Sequence, residues 1–154
     1  MEPVHNPNRF SFDSGWVNAS SFSPDGKSVI IGGEYGQVII YDIVLGRNIH
    51  TLQLGDNLVW TVQFSPSGDE FIVGGTEGKA ALYSSSTFEE MHAFDGVGPT
   101  VFASAFSPDG SLLCIGGNNN KAILYKVSTH EMLQTFERDS FINAIDFSQD
   151  GTRV

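Results

Sequence analysis

The side chains able to do chemistry are few and scattered. Four histidines, His5, His50, His92 and His130, could ligate a metal ion or carry protons. A metal needs ligands that converge on one point. His50 and His92 instead lie 42 residues apart, at one position of a repeating unit, and are expected on the surface of outer strands. Cys114 is the sole cysteine, so no internal disulfide can form. It sits in the apolar run Leu112-Leu113-Cys114-Ile115 with no cation nearby, the setting of a buried, unreactive thiol. Gly32-Gly33-Glu34-Tyr35-Gly36 lacks the spacing and the lysine of a phosphate-binding loop. Gly96-Val97-Gly98-Pro99 is followed by no helix, and no Gly-x-Ser-x-Gly elbow occurs. Asp25, Asp109 and Asp150 are turn formers, whereas Glu89, Glu90 and Glu137 fall at solvated positions, and no two carboxylates are paired for acid–base work. These features predict a protein that is not an enzyme, with no catalytic residue, no cofactor and no metal.

The dominant pattern is a repeat. Phe22-Ser23-Pro24-Asp25-Gly26 returns as Phe64-Ser65-Pro66-Ser67-Gly68, Phe106-Ser107-Pro108-Asp109-Gly110 and Phe147-Ser148-Gln149-Asp150-Gly151, at spacings of 42, 42 and 41. Gly32-Gly33, Gly74-Gly75 and Gly116-Gly117 keep the same phase, as do Tyr41, Tyr83 and Tyr125. Each unit reads as four short strands. The first ends at the phenylalanine: 17–23, 59–65, 101–107 and 142–148. In the turn that follows, proline presets φ, aspartate favours the second corner and glycine accepts positive φ. The second strand is a continuous apolar run, as expected of burial on both faces. The third ends at the tyrosine, and a looser fourth closes the unit.

Four short antiparallel strands in about 42 residues make a propeller blade. The predicted fold is all-β: three complete four-stranded blades and the start of a fourth. The boundaries expected are 1–15 for an N-terminal segment, 16–57, 58–99 and 100–140 for the blades, and 141–154 for the partial one. Over residues 16–154 the chain resembles the WD-repeat family, which implies blades arranged around a central channel. It departs from that family in places. Tyr41-Asp42, Tyr83-Ser84 and Tyr125-Lys126 stand where the family has Trp-Asp. Its Gly-His is absent, and Tyr35, Glu77 and Asn119 replace its turn aspartate. The family's buried Asp-His-Ser/Thr-Trp network therefore cannot form intact. Phe22, Phe64, Phe106, Phe147, Tyr41, Tyr83, Tyr125, Gly26, Gly68, Gly110 and Gly151 are expected to hold the blades and turns together.

The resemblance further implies recognition at the start of each first strand and in the loop before it. Those positions are Trp16, Asn18, Trp60, Phe102 and Asn143, with Tyr35 and Glu77 in neighbouring turns. Trp60 and Phe102 are equivalent. They form an aromatic anchor patch if they face the channel mouth. Alternatively they pack between blades, since Trp60, Val62 and Phe64 share one face of a regular strand.

Eighteen acidic residues against eight basic ones give a net charge of −10. Such a surface repels nucleic-acid phosphates and anionic lipid. The acidity serves either solubility or docking of a basic partner. The first residues carry no secretory leader pattern and no apolar run approaches the ~18 residues of a membrane span. An intracellular protein, cytoplasmic or nuclear, is expected. Three blades and a fraction cannot close a ring, and the open edges invite association. Two copies sharing one ring, or a longer protein of which this is the N-terminal part, would satisfy them. Arg9-Phe10-Ser11-Phe12 alternates like a closing outer strand. The expected function is a protein-interaction scaffold in a multi-protein complex. The alternative is a regulatory or targeting module attached to a catalytic domain beyond Val154.

Overall fold

The computed structural model describes residues 15–154, so His5 and the alternating segment Arg9-Phe10-Ser11-Phe12 lie outside the described residues. Twelve strands follow in chain order. The first sheet holds β1 (Val17–Phe22), β2 (Ser28–Gly33), β3 (Gln37–Asp42) and β4 (Arg47–Gln53). The second holds β5 (Val59–Phe64), β6 (Glu70–Gly75), β7 (Ala80–Ser84) and β8 (Glu90–Phe94). The third holds β9 (Val101–Phe106), β10 (Leu112–Gly117), β11 (Lys121–Lys126) and β12 (Met132–Glu137). Each sheet is antiparallel in sequence order, so consecutive strands are neighbours.

The turn after each first strand is built by its side chains. The Ser107 hydroxyl donates to Asp109 Oδ1 at 2.6 Å, and that oxygen also accepts the Ser111 N–H at 3.0 Å. Ser107 Oγ in turn accepts the Leu112 N–H at 2.9 Å. Ser23 with Asp25 and Ser148 with Asp150 repeat the arrangement. These donors hold the carboxyls of Asp109 and Asp150 down to about 2. Gly26, Gly68, Gly110 and Gly151 close the four turns with φ between 69° and 78°, where a β-carbon is disfavoured.

The core lies between sheets. Ile30, Val38 and Ile40 of the first sheet meet Phe64, Phe71, Val73 and Tyr83 of the second. The second sheet's opposite face, with Ile72, Leu82 and Phe94, meets Phe106, Leu113, Ile115 and Tyr125 of the third. Central strands are therefore buried on both sides, which is why β2, β6 and β10 read as unbroken apolar runs. Cys114 is among those core residues, and burial pushes its thiol up to about 11.

The paired glycines have distinct tasks. A β-carbon at Gly74 would lie 2.7 Å from Val101 Cγ1 of the next sheet, and one at Gly116 would lie 2.7 Å from Ile142 Cγ2. The first glycine of each pair thus lets the opening segment of the following unit approach. The second meets the backbone of its own sheet: a β-carbon at Gly75 or Gly117 would overlap the carbonyl oxygen of Leu58 or Thr100. Polar staples complete the joints. Ser21 Oγ accepts the Phe64 N–H at 3.1 Å, and the equivalent Gln63 Oε1 accepts the Phe106 N–H at 3.0 Å.

Two expectations are corrected. Residues 142–148 do not form a strand. In the other units this segment pairs with the next strand of its own sheet. Here only the Ser148–Arg153 turn is formed, with Ser148 N–H donating to the Arg153 carbonyl at 3.0 Å, and no ladder partner follows among the described residues. The segment still docks on the third sheet, where the Ile142 N–H donates to the Gly117 carbonyl at 3.0 Å. Phe22, expected to be a packing residue, is 66% exposed, whereas Phe64 and Phe106 are 8% and 6% exposed. Those two are covered by a preceding sheet, and none of the described residues forms one before β1.

At the outer edge a second joint repeats. His50 of β4 stacks on Phe88 with ring centroids 4.5 Å apart, and the equivalent His92 of β8 stacks on His130 at 4.0 Å. Phe88 and His130 occupy the same left-handed position of their turns, with φ of 60° and 58°. Burial, then the His92 ring, pushes the His130 imidazole below its ordinary 6.5. Its neutral form therefore stabilises the fold above about pH 6.5, and this contribution is lost as pH falls through the lowered value. His130→Phe gives the second joint the chemistry of the first. Its melting midpoint is expected to fall less than that of the wild type between pH 7.5 and 5. Identical pH profiles would show that the stack carries no such linkage.

Candidate functional site

All loops that join a second strand to a third, or a fourth strand to the next sheet, meet at one end of the blades. The first strands begin there, and each begins with a β-bulge. Val17 pairs with Gly33 and Ala19 with Gly32, leaving Asn18 unpaired. Val59 and Thr61 pair with Gly75 and Gly74, leaving Trp60 unpaired. Val101 and Ala103 pair with Gly117 and Gly116, leaving Phe102 unpaired. A bulge breaks the two-residue alternation and re-aims the extra side chain. Val59, Thr61, Val62 and Phe64 are all buried, while Trp60 between them is 37% exposed. The parity that would place Trp60 between blades with Val62 and Phe64 does not operate there, and neither Trp60 nor Phe102 is among the buried core residues.

The re-aimed aromatics form a row. Trp60 and Phe102 meet edge to face with centroids 5.8 Å apart and planes at 76°. Phe102 meets Phe141 at 6.3 Å and 43°. Phe141, more than half exposed, was not singled out from the sequence. Its signal was its place two residues before Asn143, where Trp16 stands relative to Asn18. Asn18 takes a different part: its side-chain amide donates to the Val59 carbonyl at 3.1 Å and ties the first bulge to the second sheet. Trp16 is 77% exposed at the same end, and Asn143 is exposed beyond Phe141. Trp16 and Asn143 thus share the end of the blades with the row, and no ring contact joins Trp16 to it among the described residues.

Tyr35 and Glu77 sit in equivalent turns with φ of 57° and 60°. The Tyr35 carbonyl accepts the Gln53 side-chain amide, which leaves its half-exposed ring to solvent. Glu77 pairs with Lys79 at 3.4 Å, both side chains being well exposed. Behind them, Thr76 Oγ1 accepts the Leu58 N–H and Asn118 Oδ1 accepts the Thr100 N–H, each at 3.0 Å. These local bonds fix the loops that precede Trp60 and Phe102. Tyr41, Tyr83 and Tyr125 are buried. The Tyr83 hydroxyl donates to Glu90 at 3.3 Å, and that of Tyr125 to the Asp95 carbonyl at 3.3 Å. Burial first, then the Glu90 carboxylate, pushes the Tyr83 phenol up to about 12. Phe147 is half-buried.

No three His, Cys, Asp or Glu side chains converge as a metal site among the described residues. No described helix is long and apolar enough to cross a membrane. The arrangement presents rigidly supported aromatic groups at one end of stacked blades, a surface suited to binding.

None of the curated proteins matches the chain at a significant level. Residues 6–42 and 88–126 match the family model described as WD domain, G-beta repeat. The second match runs through β8 and β9–β11, so one sequence repeat straddles two sheets. WD-repeat proteins are in general non-catalytic scaffolds for protein–protein binding. With all described strands in four-stranded antiparallel sheets that stack as blades, the chain belongs to the WD-repeat family.

Proposed function

We propose that this chain is a non-enzymatic scaffold that docks partner proteins on the bulge-bearing end of its blades, within a larger propeller in a multi-protein, intracellular assembly. The row of Trp60, Phe102 and Phe141 carries the reading. Large aromatics dominate interface energy when a rigid scaffold presents them partly exposed. Trp16, Tyr35 and Glu77 extend the surface around the row, with Asn18 and Asn143 at the ends.

Selection from a random peptide library on the immobilised chain tests the docking surface. Enriched peptides are expected to lose about tenfold or more in affinity for Trp60→Ala/Phe102→Ala, with the melting midpoint held. Failure to enrich any peptide, or binding indifferent to the double substitution, would overturn the assignment.

A further inference from the structure

A groove of about 910 Å³ runs from this end between the loop that leaves β4 and the second sheet. Leu58, Val73 and Ala81 give it apolar walls. Its charged lining is one-sided. Asp56, Glu77, Glu90 and Asp95 face a single cation, Lys79, and that ammonium pairs with Glu77. Asp56, Glu90 and Asp95 have no ion-pair partner among the described residues. The volume is of the size that holds a bound side chain or small ligand. The corresponding loop of the next joint carries Val97, fully buried, 42 residues after Gly55. At Gly55 a β-carbon would meet nothing closer than 3.8 Å, so the first joint lacks that plug.

We propose that this groove receives a lysine or arginine side chain from an extended basic segment of the partner protein. This rests on the reading of the aromatic end as the docking surface. The apolar walls suit the aliphatic stem, and the uncompensated carboxylates suit the cationic head. Val59, the residue before Trp60, also lines the groove, so the flanking residues of such a segment reach the aromatic row. The excess of acid over base is thereby a matter of recognition at this end, beyond its effect on solubility.

The probe is a dye-labelled ten-residue peptide of alternating arginine and alanine, followed by fluorescence anisotropy, with the glutamate–alanine peptide as its counterpart. The arginine peptide is expected to saturate and the glutamate peptide not to bind. Asp56→Asn/Asp95→Asn is expected to weaken the arginine peptide about tenfold or more. Asp69→Asn/Glu131→Gln removes the same formal charge from exposed turns that do not line the groove and is expected to leave affinity within about twofold. Equal losses in the two variants would reduce the effect to net charge and overturn the proposal, as would the absence of saturable binding. Trp60→Ala/Phe102→Ala separates the two readings. If it leaves the arginine peptide bound while Asp56→Asn/Asp95→Asn releases it, the groove stands and the aromatic docking surface fails. If only the aromatic variant releases the peptide, the groove assignment fails.

Discussion

Gly75→Ala is expected to be among the most damaging single-methyl changes in this chain. The β-carbon would overlap the Leu58 carbonyl oxygen and come within 3.1 Å of its carbon and 3.3 Å of Val59 Cα. All three are backbone atoms, so no side-chain rotation relieves the clash. The same carbonyl accepts the Thr76 N–H at 3.0 Å, so moving it away also breaks a hydrogen bond. Relief requires the start of β5 to lift from β6, and overpacking of this kind costs about 3 kcal/mol. For a chain of this size that lowers the melting midpoint by roughly 6–12 °C. Trp60 rides on the displaced segment, so its edge-to-face contact with Phe102 is also expected to weaken, visible as a change in tryptophan emission. An unchanged midpoint would mean that the bulge does not bring the carbonyl over Gly75. Gly117, set against the Thr100 carbonyl, should behave alike.

Phe71→Ala is expected to cost about 3–5 kcal/mol in denaturant unfolding, the range for emptying a buried aromatic site. Phe71 is fully buried, stacked on Tyr83 at 5.6 Å and edge-on to Phe64 at 5.8 Å. These rings occupy the joint between the first two sheets, and the neighbouring strands are held by ladders on both sides, so the space cannot collapse. The sharper comparison is Phe22→Ala, expected to cost no more than about 0.5 kcal/mol. Phe22 and Phe64 stand at the same position of their units and differ in whether a sheet precedes them. A large loss on replacing Phe22 would show that its face is covered in solution, and a small loss for Phe71 would contradict the stacking of the first two sheets.

The period, the twelve strands and their order were legible because each depends on local chemistry. Strand length, turn residues and apolar runs are set within a few positions of one another, and three copies in register reinforce the pattern. The paired glycines and tyrosines could be seen to recur, but not why. The first glycine of each pair answers to the following unit, whereas Gly75 and Gly117 answer to a carbonyl just before the first strand of their own sheet. The candidate site was legible only in part. Trp60 and Phe102 stood out as equivalent aromatics, yet alternation in a regular strand allowed them to be core. The bulge that decides the question arises from the pairing of Val59 and Thr61 with adjacent glycines of another strand. The His92–His130 stack joins residues of two different units, and no local signal announces it.

The all-β class and the blade repeat follow from local sequence alone. The tertiary structure alone decided which repeated side chains are covered. Phe22, Phe64 and Phe106 are chemically identical and sit in the same local turn, but burial is a property of what lies across the joint. Residues 142–148 share the strand pattern of the other units without forming a strand, because a strand is completed by its ladder partner. Both outcomes depend on neighbours distant in the chain, which local propensity cannot encode.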